Sequence, residues 1–76
     1  MSQAATITVY VKLLDEGTDV MRPTLAIPLG ESVYELLPTP DYNPENETWE
    51  FLPGTNVEVS NMNRNGKVIP VATAKK

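Results

Sequence analysis

Hydrophobic and polar residues alternate strictly near the start of the chain. Over residues 6–14, aliphatic side chains occupy every second position. They are Ile7, Val9, Val11 and Leu13. A period of two is the spacing of side chains on one face of a β-strand, and β-branched residues favour that conformation. The pattern predicts a half-buried strand over residues 6–14 with its aliphatic face pointing inward.

Further segments show the same alternation between turn-forming residues. Strands are predicted over residues 20–29, 32–37 and 48–52, in a fifth segment containing Val57 and Val59, and over 67–73. In the strand over residues 20–29, Leu25, Ile27 and Leu29 are expected to share the inward face. Proline cannot donate to a β-ladder, so the second and sixth strands, which contain prolines, are expected at edges or bulges.

Two dipeptides predict tight turns. Pro53-Gly54 suits the central positions of a type II turn, and Asn65-Gly66 is a strong hairpin signal. Between the third and fourth strands, residues 38–47 contain three prolines, which makes a helix there improbable. We expect this segment to be an ordered loop.

Short strands separated by regular turns predict an all-β fold. Five to six strands in a chain of this size favour a small, SH3-like, partly open antiparallel barrel. An OB-like barrel is the alternative, although its usual helix would fall in the proline-rich loop. The expected core is Val9, Val11, Leu25, Ile27, Trp49, Phe51, Val57 and Val59.

Length and composition predict one small domain. The chain has 76 residues, of which 41% are hydrophobic, so it can bury one small core. Residues 1–5 and 74–76 are expected to be frayed tails. Because a core of this size is only modestly stabilising, a homodimer through an edge strand stays open.

The absence of Cys and His limits the kinds of catalytic and metal site that the chain can form. There is no Cys and no His, which removes disulfides, thiolate zinc sites and the usual general base near neutral pH. No set of acids and bases is predicted to converge, so the sequence predicts a protein that is not an enzyme, with no catalytic, cofactor or metal site. Two oxygen-rich stretches resemble calcium loops in composition, but Asn46 and Leu52 replace the required Gly and Glu in the first.

The net charge is −4, from six basic and ten acidic residues. The basic residues are scattered, which disfavours nucleic acid and membrane surfaces as partners, since both carry negative charge. The N-terminal residues lack a charged region before an apolar run, and no apolar stretch is long enough to cross a bilayer. We therefore expect a cytoplasmic protein.

Two sequence blocks carry a resemblance. Residues 9–20 read VYVKLLDEGTDV, and residues 49–57 read WEFLPGTNV. With Arg22-Pro23 behind the first block, the chain resembles small bacterial β-barrel proteins of uncharacterised function. In those proteins an aromatic residue often stands where this chain has Met21. The resemblance implies a small β-barrel and no particular activity.

The two longest irregular segments, 15–19 and 38–47, contain six of the ten acids. Loops on a rigid scaffold commonly carry recognition, so we predict a protein-interaction module that binds a basic or Arg-bearing partner. The candidate contact residues are Asp15, Glu16, Asp19, Asp41, Tyr42, Glu45 and Glu47.

Other interpretations of these residues stay open. The 15–19 segment could be only a solvated turn, and Tyr42 could fold back as a lid over the barrel end. A different functional class is an accessory or regulatory barrel that binds nucleic acid or a small ligand. A positive patch around Lys12, Arg22 and Arg64 would favour that second class.

Overall fold

The computed structural model describes residues 5–14 and 20–76 and contains six β-strands. No helix occurs in these residues, so none in them is long and apolar enough to cross a membrane. The all-β prediction is confirmed. The strands are β1 (Ile7–Leu14), β2 (Met21–Gly30), β3 (Val33–Leu36), β4 (Thr48–Trp49), β5 (Asn56–Arg64) and β6 (Lys67–Lys75).

Five of the strands close into a ring. β1 pairs with β2, β2 with β3, β3 with β5 and β5 with β6, all antiparallel, and β6 returns to β1 in parallel. A ring with an odd number of strands must contain a parallel pair, because antiparallel neighbours alternate in direction. One pairing therefore departs from the predicted all-antiparallel barrel. Apart from β4, ring order follows chain order, unlike the Greek key of the OB alternative.

The ring is weakest between β1 and β6. Among the described residues these strands share the single register pair Tyr10 and Val71. Pro70, which precedes Val71, has no backbone N–H to donate across this seam. The barrel is accordingly partly open, as the sequence predicts.

The ends of the fourth and sixth strands differ from prediction by more than one residue. The fourth strand is only Thr48–Trp49, where it pairs with the end of β1, rather than 48–52. β6 continues to Lys75, and the backbone N–H of Lys76 donates to the Asn56 carbonyl at 2.8 Å. Residues 74–76 therefore extend the sheet instead of forming the expected frayed tail. Residues 1–4 lie outside the described part.

Both predicted turns have the required backbone conformation. Gly54 has φ of 89°, and the Thr55 N–H donates to the Leu52 carbonyl at 3.1 Å, as in a type II turn. Asn65 and Gly66 have φ of 53° and 80°, which gives the type I′ turn between β5 and β6.

The core lies inside the ring, and part of its membership differs from prediction. Val9, Val11, Trp49 and Val57 are buried as expected, while Phe51 and Val59 are partly buried against them. Ile27 is only half-buried, and Leu25 is 50% exposed. The buried residues that the pattern did not indicate are Thr24, Ala26, Leu36, Val71 and Ala72.

The inward face of β2 is therefore the opposite of the predicted one. Residues paired across antiparallel strands point to the same face, and Val9 pairs with Thr24. Ala26 is the register partner of both Ile7 and Leu36, so its small side chain lies between two larger ones. The Thr24 hydroxyl donates to the Leu37 carbonyl at 2.6 Å, so this buried polar side chain has a hydrogen-bond partner.

Candidate functional site

Arg22 organises one end of the barrel. It pairs in register with the buried Val11, so its side chain starts from the inward face of β2. Its Nη2 donates to Asp41 Oδ1 at 2.7 Å. Its Nε lies 3.4 Å from Glu47 Oε1, where it makes an ion pair without a hydrogen bond. One guanidinium thus ties both halves of the 38–47 loop to β2.

Two aromatic rings lie beneath this ion pair. The Trp49 Nε1–H donates to Glu47 Oε1 at 2.6 Å, and the Glu47 side chain is only 16% exposed. The Tyr42 ring meets Trp49 edge-on, with centroids 4.9 Å apart and an interplanar angle of 71°. Tyr42 is partly buried against the core. Its position agrees with the lid interpretation rather than with a fully exposed anchor.

Backbone hydrogen bonds order the loop internally. The Tyr42 N–H donates to the Thr39 carbonyl at 3.0 Å, and the Asn46 and Glu47 N–H groups donate to the Asn43 carbonyl at 2.9 and 3.1 Å. The Asn43 side chain also accepts from the Glu45 N–H at 2.9 Å. The prediction of an ordered loop is confirmed.

The predicted contact residues have different environments. Asp15, Glu16 and Asp19 lie outside the described residues. Asp41 is 74% exposed although it pairs with Arg22, and Glu45 is exposed. Glu47 and Tyr42 instead hold the loop against Trp49. Sequence reasoning missed the part played by Arg22, because its partners come from a loop 19 residues away and its inward direction depends on the register with β1.

The anchor points of the two acidic segments are neighbours. Leu14, the last described residue before the 15–19 segment, pairs with Thr48, which directly follows the 38–47 loop. The Leu13 N–H donates to the Val20 carbonyl at 2.9 Å, where the described chain resumes. We call these two segments together the acidic end.

Stability should depend on pH through Asp41. The hydrogen bond from Arg22 lowers the pKa of Asp41 below its ordinary value. A carboxyl group with a lowered pKa stabilises the fold above the unfolded-state value of about 3.9, and this contribution is lost as pH falls through the folded-state pKa. Asp41→Asn should be less stable than the parent at pH 7, by a small amount because the pair faces solvent. Urea unfolding between pH 7 and 2.5 should show the difference between the two proteins narrowing as pH falls; a difference as large at pH 2.5 as at pH 7 would contradict this.

A concave surface lies on the outside of the barrel. It is a groove of about 270 Å³ beside the seam between β1 and β6, near the tip of the β5–β6 hairpin. Its lining residues are Tyr10, Met21, Arg64, Asn65, Lys67 and Ile69. We call this surface the seam groove.

The seam groove gathers positive charge. Arg64 and Lys67 line it, and Lys12 pairs in register with the lining residue Met21. Arg22 does not belong to this patch, because it faces Asp41 and Glu47. Of the three residues considered for a positive patch, Arg64 lines the seam groove, Lys12 is the register partner of one lining residue, and Arg22 faces the acidic loop instead.

Comparison with known proteins identifies no relative. No protein-family model matches the chain, and neither the curated proteins nor the solved structures contain a match. The resemblance to small bacterial β-barrel proteins stays a prediction. Within residues 5–14 and 20–76, no group of three or more carboxylates could hold a metal ion.

Proposed function

We propose that the protein is a non-catalytic, cytoplasmic protein-interaction module whose acidic end binds a basic or Arg-bearing partner. The observation that carries the proposal is the pairing of Leu14 with Thr48, because it brings the anchor points of both acidic segments to one edge of the barrel. Six carboxylates in two segments whose anchor points are paired would attract a cationic surface and repel phosphate backbones.

The order of the 38–47 loop supports the same role. Arg22 and Trp49 already hold this loop in one conformation, so binding would cost little additional ordering entropy. Arg22 neutralises part of the loop, but its one charge is outweighed by those of Asp41, Glu45 and Glu47. The exposed carboxylates Asp41 and Glu45 are the contacts that we assign to the partner.

Amide-shift mapping with a short arginine-rich peptide tests this function. Residues 15–19 and 38–47 should shift on titration, and binding should weaken as salt rises because exposed charges are screened. A single-stranded RNA of similar length should leave these segments unshifted. RNA-induced shifts at Lys12, Arg22 or Arg64, without a response of either acidic segment to the peptide, would overturn the proposal.

Two matched variants test whether peptide binding depends on where a carboxylate lies or only on the net charge. Glu45→Gln removes an exposed carboxylate from the acidic end, and Glu31→Gln removes one from the exposed turn between β2 and β3. We expect Glu45→Gln to weaken peptide binding about two- to fivefold, as for one solvent-exposed ion pair, and Glu31→Gln to leave it unchanged. Equal losses in the two variants would show that only the net charge matters.

A further inference from the structure

The second half of β5 extends beyond the reach of β3. The two strands pair over residues 33–35 and 56–58, and the Val59 N–H donates to the Ser32 carbonyl at 3.1 Å. Ser32 has φ of 61° in the turn that leads back to β2, so the chain leaves β5 at this point. Among the described residues, 60–64 pair with β6 on one side and with no strand on the other. We call residues 60–64 the open edge.

The hairpin register directs backbone groups toward the open edge. Arg64 and Lys67 flank the two-residue turn, and such a flanking pair exchanges hydrogen bonds while the next pair does not. Because this pattern alternates along the ladder, the N–H and C=O groups of Asn61 and Asn63 point away from β6. Val59 has the same phase, and its N–H leaves the hairpin for the β2–β3 turn. The open edge therefore presents donors and acceptors to a further strand.

Other strands of the sheet carry residues that discourage pairing with another chain. β2 contains Pro23 and Pro28, and β6 contains Lys67 and Pro70. Residues 59–63, by contrast, contain no proline, lysine or carboxylate. Because the chain has a net charge of −4, copies of it repel each other in general. A stretch without an acidic residue is where two copies meet the least repulsion.

We propose that two copies of the chain associate through antiparallel pairing of their open edges, with Met62 on the two-fold axis. In this register Asn61 of one copy lies opposite Asn63 of the other, and their outward N–H and C=O groups exchange hydrogen bonds. The two half-buried Met62 side chains meet across the axis, beside their register partner Ile69. The interface is separate from the acidic end, so the proposal is independent of the protein-interaction function.

The side chains of the open edge favour a second copy over an unlike strand. Asn61 and Asn63 are exposed, and an amide both donates and accepts, so the two residues complement each other across the axis. Asn63 Oδ1 accepts from the Gly66 N–H at 3.3 Å, and its NH2 group is the donor that we assign to Asn61 Oδ1 of the second copy. The two-fold axis places the two Arg64 side chains at opposite ends of the paired stretch.

Sedimentation equilibrium and amide shifts over a range of protein concentrations test the association. The mass should rise from that of one chain toward that of two, with a dissociation constant on the order of 100 μM, because the contact is smaller than a standard interface. The amides of residues 60–64 should shift with concentration, and those of β4 should not. A protein that stays monomeric at about 1 mM, a mass that grows beyond two chains, or shifts centred elsewhere would overturn the proposal.

The position of Met62 on the axis allows a test by charge. Met62→Lys places two like charges directly opposite each other and should weaken association about five- to tenfold, although it reduces the net charge of the chain. Met62→Asp should weaken it as well. An equimolar mixture of the two variants should associate at least as tightly as the parent, because opposite charges then face each other. If the mixture associates no better than either variant alone, the two copies do not meet at Met62.

Val68→Lys is the matched control. Val68 is 65% exposed on β6 and is the register partner of Asn63, so this substitution adds the same charge to the other strand of the hairpin. It should leave the dissociation constant of the dimer within about twofold of the parent value. Circular dichroism should show that all three variants keep the β fold. A greater loss of association in Val68→Lys than in Met62→Lys would assign the contact to β6 and overturn the proposal.

Discussion

Replacing Trp49 with alanine should lower the free energy of unfolding by about 3–5 kcal/mol, the usual cost of removing a large aromatic side chain from a core. Trp49 is only 2% exposed and is the largest fully buried side chain in the described residues. The substitution also removes the ring against which Tyr42 packs and the Nε1–H group that donates a hydrogen bond to Glu47 Oε1. Because a core this small rarely supplies more than about 3–5 kcal/mol, most of the protein should be unfolded.

Urea unfolding, followed by circular dichroism, measures this loss. Leu52→Ala is the control, since Leu52 is 56% exposed and its truncation should cost less than about 0.5 kcal/mol. Trp49→Phe keeps an aromatic ring but removes the donor to Glu47 Oε1, so its cost should be intermediate, with faster amide exchange in residues 38–47. A normally stable Trp49→Ala protein would mean that this residue lies on the surface.

Ala26→Leu should destabilise the protein by about 1–3 kcal/mol, because it inserts a large side chain into a filled core. Ala26 is fully buried, and its register partners Ile7 and Leu36 lie on either side. Its neighbour Leu25 points the other way and is 50% exposed. Leu25→Ala should therefore cost less than about 1 kcal/mol, although the alternation pattern assigns Leu25 to the core.

Comparison of the two variants by urea unfolding tests the direction of β2. The expected order is parent, then Leu25→Ala, then Ala26→Leu, from most to least stable. The reverse order, with Leu25→Ala costing about 2–5 kcal/mol as for a buried leucine, would show that Leu25 faces the core.

Local sequence signals determined most of the secondary structure. The alternation over residues 6–14 corresponds to β1, and the Asn65-Gly66 dipeptide lies at the β5–β6 turn with the expected positive φ angles. Pro53-Gly54 likewise forms its predicted turn. These features depend on the conformational preferences of a few adjacent residues, which is why a single sequence is enough to predict them.

The same local signal was wrong for the face of β2, where long-range pairing decided the outcome. Alternation shows that a strand has two faces, but it does not say which one points inward when both carry apolar residues. Pairing with β1 turns Thr24 and Ala26 inward, and the Leu37 carbonyl compensates for the buried hydroxyl.

Both candidate sites also depend on tertiary structure. In the sequence, Arg22 and Asp41 are one cation and one acid among many. Only the fold brings Arg22 Nη2 within 2.7 Å of Asp41 Oδ1. Tyr10 and Lys67 are separated by most of the chain, yet closure of the ring between β1 and β6 places them in one groove. The sequence by itself determined the strands and turns of this protein, because these follow from short-range preferences. The tertiary structure decided which side chains meet, because that depends on the register between strands distant in the chain.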